Sequence, residues 1–273
     1  MSWQVKLPSP PPGYRYGPRY GPSRENILRG IVYILRGKSR SLARDALLVI
    51  TNMPLPPRIR CADRIPERGP FVVVANHYER PGLWMVWPAM LVAHLVRERT
   101  GQDTHWIAIE QWESFRLLSV SVPPALIRRV FERTFRTYGI MAMASPDAPA
   151  AARAGSMRRA VQAIRDGEIV GLMPEGDVGP TPELLEAKEG VGAFLLMLAG
   201  RGAPVVPIGL YEEDGRLVAH AGPPLDLAPP PGLPRDQREG WARTRVMLAL
   251  RELLPEPLWG AYRETEKGTV ADR

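Results

Sequence analysis

Three short apolar runs constrain this chain more than any other feature. Phe71-Val72-Val73-Val74-Ala75, Glu168 to Met173 and Pro204 to Tyr211 are β-branched or continuously apolar stretches of the kind that form strands buried on both faces. Between and around them the pattern turns helical. Leu83 to about Val96 is very apolar and carries Pro88 as an interruption, and Pro124 to Thr137 and Gly155 to Asp166 follow, the latter stopped by Gly167. Lys188 to Ala199 and about Trp241 to Leu254 complete the predicted helices of this part. Trp106 to Ile109 and Ile140 to Met143 read as shorter strands, and Asp214-Gly215 as a hairpin turn into Arg216 to Ala221. Strands alternating with helices predict an α/β fold with a mixed, mostly parallel central sheet and helices on both faces.

The region before the sheet differs in composition. Residues 1–24 are rich in Pro, Gly, Tyr and Arg and read as an extended or disordered arm. Residues 25–60 read as a basic amphipathic segment of two short helices, with Ile27, Ile31 and Leu35 on one face and Leu42, Ala46 and Val49 on another stretch. Residues 61–273 make the α/β domain. Charge follows the same division: residues 1–60 hold eleven Lys or Arg against Glu25 and Asp45, a balance of +9 within a net charge of +7. An anionic partner is expected there, either lipid headgroups or nucleic acid. Tyr14, Tyr16 and Tyr20 alternate with Arg15 and Arg19 as a single-strand stacking surface would, but no nucleic-acid fold motif follows.

Pro8, Pro10, Pro11 and Pro12 stand where a secretory signal would be apolar, and no run reaches the roughly 18–20 residues of a spanning helix. The expected location is cytoplasmic, peripheral at the inner face of the cell membrane, with residues 25–52 as the contact. The single cysteine, Cys61, excludes an intramolecular disulfide framework and a multi-cysteine metal site.

Four segments carry chemistry. His77 stands just beyond the end of a predicted strand, where open α/β sheets keep their sites, although a histidine satisfying loop hydrogen bonds would look the same. Met173-Pro174-Glu175-Gly176-Asp177 repeats that arrangement with two carboxylates, or is simply a strand-ending turn with a solvated acid. Lys188-Glu189-Gly190-Val191-Gly192 opens an apolar helix, either as small-residue packing or as an anion cradle. Pro204 to Ile208 reads as a strand entry flanked by prolines.

In their order, Asn76-His77, Pro174-Glu175-Gly176 and Val206-Pro207-Ile208 resemble the motifs of the 1-acyl-glycerol-3-phosphate acyltransferase family, over about residues 66–225. There a strand leads into N-H-x-x-x-x-D, a second into F-P-E-G-T-R and a later one into V-P-I or V-P-V. The resemblance implies a membrane-surface enzyme that moves an acyl chain from a thioester on coenzyme A or acyl carrier protein to a lipid-like hydroxyl or amine. It implies no cofactor beyond that co-substrate, and no metal. His77 would be the general base, with Asn76, Pro174, Glu175, Gly176, Lys188 and Gly190 holding substrate.

The chain departs from the pattern in two places. Gly82 fills the position of the motif aspartate, so Glu79 or Asp177 would have to orient His77. Asp177-Val178 replaces Thr-Arg, and Gly139 to Ala144 lacks the motif arginine, which argues against a phosphate-bearing acceptor and for a neutral or amphipathic one. A non-catalytic protein binding lipid or acyl chain on a degenerate scaffold is the competing expectation.

Overall fold

The three apolar runs become neighbouring strands of one sheet in the computed structural model, which describes residues 10–20, 24–50, 53–109, 116–117, 120–121, 123–144 and 148–264. Along the chain come α1 (Arg24–Arg36), α2 (Leu42–Ile50), β1 (Arg58–Arg60), β2 (Phe71–Ala75), α3 (Val86–Thr100) and β3 (Thr104–Ile109). A short hairpin of β4 (Arg116–Leu117) and β5 (Val120–Ser121) precedes α4 (Pro124–Tyr138), β6 (Met141–Met143), α5 (Ala150–Arg165) and β7 (Ile169–Leu172). The chain continues through α6 (Val191–Ala199), β8 (Val205–Glu213), β9 (Arg216–Ala221) and α7 (Arg238–Glu252).

The main sheet has seven strands in the order β1-β9-β8-β2-β7-β3-β6. Every pairing is parallel except the β8–β9 hairpin. Helices cover both faces, with α3 on one side carrying α2, and α5, α6 and α7 packed together on the other. β2 and β7 are buried along their whole length. Burial of each such aliphatic side chain contributes roughly 1.5–3 kcal/mol, which explains why these runs show no polar alternation.

Several expectations shift on contact with the fold. Pro88 does not interrupt α3; it is the third residue of the helix, where its missing N–H would have had no intrahelical acceptor. The sheet begins at Arg58, inside the segment read as preceding it, because β1 pairs with the outer edge of β9.

The N-terminal region contributes to the core. Tyr14 and Tyr20 are buried in it, so residues 10–20 lie extended against the domain and those rings are closed to stacking bases. α2 packs Ala46 onto Met90 of α3, whereas α1 leaves Leu28, Ile31, Val32 and Leu35 exposed. The side chains of Ile27 and Val49, assigned to the amphipathic faces, lie outside the described residues.

Candidate active site

Strand order brings the chemistry together. β2 and β7 are parallel neighbours with Val74 opposite Leu172, so both chains emerge at the same edge of the sheet. The connection from β2 leads towards β3, while that from β7 returns past β2 to β8. Such a switch point is where open α/β sheets place a ligand crevice, beyond the strands' C-terminal ends. Asn76-His77 leaves β2 there and Pro174 to Asp177 leaves β7.

Glu175 joins the two loops. Its buried carboxylate accepts the His77 backbone N–H through Oε1 at 2.9 Å and the Leu185 N–H through Oε2 at 3.3 Å. Burial pushes its pKa up to about 7, against the downward pull of those two bonds. Gly176 makes the turn with φ +62°, and a Cβ there would come within 2.7 Å of the Lys188 Cγ. The Pro174 carbonyl accepts the Lys188 N–H at 2.9 Å. These residues therefore build the turn that carries the site.

The His77 ring has no such support. Its Nδ1 is buried without a hydrogen-bond partner among the described residues. Burial lowers its pKa to about 4, with the nearby Asp177 charge pulling weakly the other way. The neutral imidazole is thus the resting form, but the tautomer that can accept a proton at Nε2, like the conjugate acid, holds a buried Nδ1–H with no acceptor among the described residues.

Neither expected orienter takes that place. The Glu79 carboxylate turns away to accept the Met85 N–H at 3.0 Å, at the entry to α3. Asp177 is exposed, accepts its own neighbour's N–H at Val178 and stands 3.8 Å from Lys188 Nζ. Two residues assigned to substrate binding are engaged within the protein. Asn76 spends both amide atoms on the backbone of Leu210, donating at 2.9 Å and accepting at 2.7 Å, and so welds β2 to β8. Gly190 donates its N–H to Glu239 Oε1 at 3.0 Å, so a carboxylate already sits where an anion cradle was expected.

Gly82 is the inner corner of a turn that an aspartate would strain. Arg80 and Leu83 exchange both backbone hydrogen bonds, Pro81 takes the second position and Gly82 the third with φ +82°, as a type II turn requires. A Cβ on Gly82 would meet the Arg19 Cγ at 2.6 Å, because the N-terminal arm passes over it.

Arg80 and Glu212, which the motif comparison passes over, anchor this turn. Arg80 donates through Nε at 2.9 Å and Nη2 at 2.6 Å to the two oxygens of Glu212, and both side chains are essentially inaccessible. The Tyr78 hydroxyl at 2.9 Å and the Gly17 N–H at 3.2 Å complete the carboxylate's shell. Arg80 also donates to the Pro18 and Pro81 carbonyls. The Tyr14 hydroxyl bridges Tyr78 and the Glu212 carbonyl, each at 2.9 Å. In sequence, Glu212 stands with Glu213 at the end of an apolar run, next to the Asp214-Gly215 turn.

A family model described as acyltransferase matches residues 57–211. Among solved structures, the chain is similar to the 1-acyl-sn-glycerophosphate (LPA) acyltransferase PlsC from Thermotoga maritima, at 16% identity and a TM-score of 0.46, covering 84% of this chain and 92% of that one. No curated protein matches.

Proposed function

The chain belongs to the acyltransferase family, and from that premise we propose that it transfers an acyl chain from a thioester to a lipid-like hydroxyl or amine at a membrane surface. The observation that carries the proposal is the junction of His77 and Glu175 at the ends of adjacent parallel strands. With Nδ1 shut in, the other ring nitrogen is the one left to face an acceptor. It takes the hydroxyl proton as the oxygen attacks the thioester carbonyl, the C–S bond breaks, and the imidazolium returns the proton to the departing thiolate. Coenzyme A and acyl carrier protein both fit this role as donor carrier.

A base with a pKa of about 4 is weaker than one poised near neutrality, so much of the rate must come from holding the two substrates together. Asp177 opposes the nearby Lys188, which disfavours a phosphate-bearing acceptor at this mouth. The unsupported ring also favours one competing reading, a scaffold that binds acyl chains without turnover.

One assay separates the two: release of thiol from acyl-coenzyme A and acyl carrier protein across an acceptor panel, with His77→Ala as control. Loss of a general base should cost about 10²- to 10⁴-fold. No turnover by the parent protein, or turnover unchanged by His77→Ala, removes the catalytic reading.

The membrane side of the proposal rests on α1 and the neighbouring α4. Leu28, Ile31, Val32 and Leu35 of α1 and Leu126 and Val130 of α4 are exposed, and both helices bear arginines. Such apolar and cationic faces lie in the headgroup plane of anionic bilayers. No described helix is long and apolar enough to cross a membrane. Deleting the N-terminal segment would be a poor test, since Tyr14, Tyr20 and Ala46 are buried. Leu28→Asp with Leu35→Asp should instead abolish cosedimentation with anionic liposomes while leaving the melting temperature unchanged; cosedimentation that survives would exclude α1 as the contact.

A further inference from the structure

A concavity adjoins the loop that carries His77. It holds about 390 Å³, within the range of small-molecule sites, between residues 79–84 and Gly179-Pro180 beyond the Glu175 turn. Trp84 and Trp87 supply aromatic surface, standing edge to face with centroids 6.2 Å apart, while Tyr20 lines the back with its ring already under the Arg80 guanidinium at 5.4 Å. Trp84 is 57% exposed, an unusual position for the largest apolar side chain in a loop that has a core within reach.

The two charged side chains that line this cavity differ. Glu79 lines it, and only its Oε2 is engaged, by the Met85 N–H; Oε1 accepts no hydrogen bond among the described residues. Arg80 also lines it, but its donors go to Glu212, Pro18 and Pro81, so its charge is neutralised at the back of the wall. Beyond the lining, Asp177 is offset by Lys188 Nζ at 3.8 Å, and the Arg19 stem lies over Gly82. Aromatic faces beside an open carboxylate repel anions and attract weakly hydrated cations, which is the chemistry of alkylammonium recognition.

We propose that this cavity binds an alkylammonium cation, and that, on the acyltransferase reading above, the cation is the head of the amphiphile whose hydroxyl or amine His77 serves. The aromatic rings take the N-alkyl groups and Glu79 Oε1 takes the charge. The proposal deepens the acceptor assignment from one that lacks a phosphate anchor to one that carries a positive head.

The test is ligand-observed NMR titration of the full chain with choline and with its neutral carbon isostere, in which carbon replaces the nitrogen. Choline should bind about tenfold or more tightly than the isostere, as a desolvated cation over aromatic rings beside a carboxylate requires. Glu79→Gln should erase most of that preference; it keeps a carbonyl oxygen for the Met85 N–H, so the loop retains its fold. Trp84→Ala should weaken choline by about fivefold or more, with Trp84→Phe partly restoring it.

Dodecyltrimethylammonium below its micellar concentration distinguishes the source of the cation. Added affinity from the chain places the ligand among lipids, and none places it among free amines. Equal binding of choline and its isostere, a preference retained in Glu79→Gln, or saturable binding of methyl phosphate in the same cavity would each overturn the assignment. No thioester is present in these titrations. A protein inactive in every transfer assay can therefore still pass, and an active protein that fails here loses only the headgroup.

Discussion

The Arg80 guanidinium and the His77 imidazole leave the same loop three residues apart and meet opposite fates. Arg80 is enclosed with hydrogen-bond partners on Glu212, Pro18 and Pro81, and the carboxylate facing it is equally well supplied. His77 is mostly enclosed as well, yet its Nδ1 has no hydrogen-bond partner among the described residues. The difference teaches that holding a loop and orienting a ring are separate tasks. Here the polar groups are committed to the first. The glycine at the position of the motif aspartate belongs to the turn that seats Arg80, so the two arrangements compete for the same residue.

The comparison breaks most visibly if the buried pair is cut. Arg80→Met leaves Glu212 charged and unpaired in the interior and should cost about 3–5 kcal/mol in urea unfolding, whereas Arg80→Met with Glu212→Leu should recover most of it. A single-variant cost below about 1 kcal/mol would mean the pair does not hold the loop.

Restoring the motif aspartate sharpens the point. Gly82→Asp must adopt φ +82° and displace the Arg19 stem, so a loss of about 1–3 kcal/mol and no gain in turnover are expected, read by thermal unfolding and thiol release. Higher turnover would show that the loop refolds around the new carboxylate.

The finest test uses proton linkage, because burial moves Glu175 and His77 in opposite directions. Glu175 has a folded pKa of about 7 against 4.5 unfolded, so the folded state binds its proton more tightly. Its contribution to stability is complete below about 4.5 and is lost as pH rises through about 7. His77 has a folded value of about 4 against 6.5, so its contribution is complete above about 6.5 and lost as pH falls through about 4. Between about 4.5 and 6.5 the two slopes, each at most about 1.4 kcal/mol per pH unit, oppose one another. Relative to the parent, Glu175→Gln should gain stability as pH rises through that window and His77→Gln should lose it. Parallel profiles for both variants would show that burial does not shift these groups as the geometry implies.

Legibility in sequence followed the range of each interaction. The runs that became β2, β7 and β8 were readable because burial on both faces demands apolar residues at consecutive positions. The Asp214-Gly215 turn was readable because both residues must take positive φ, here 51° and 74°. β1 was not, because it is an edge strand whose Arg58 and Arg60 pair with Glu213 across β9, and such a strand looks like a charged linker. Tyr14 and Tyr20 misled for the reverse reason: a Pro- and Gly-rich arm gives no sign that its aromatics dock on a core almost two hundred residues away.

By itself, then, the sequence determined which strands are buried, where they end, and that a histidine and a glutamate stand just beyond two of those ends. It did so because strand burial and tight turns are decided by residues adjacent in the chain. Only the tertiary structure decided that Glu175 supports the His77 backbone, that Glu79 turns to α3 and that Arg80 takes Glu212, 132 residues away, as its counter-ion. Pairing between charges depends on distance and on the water excluded around them, and both are properties of the folded chain.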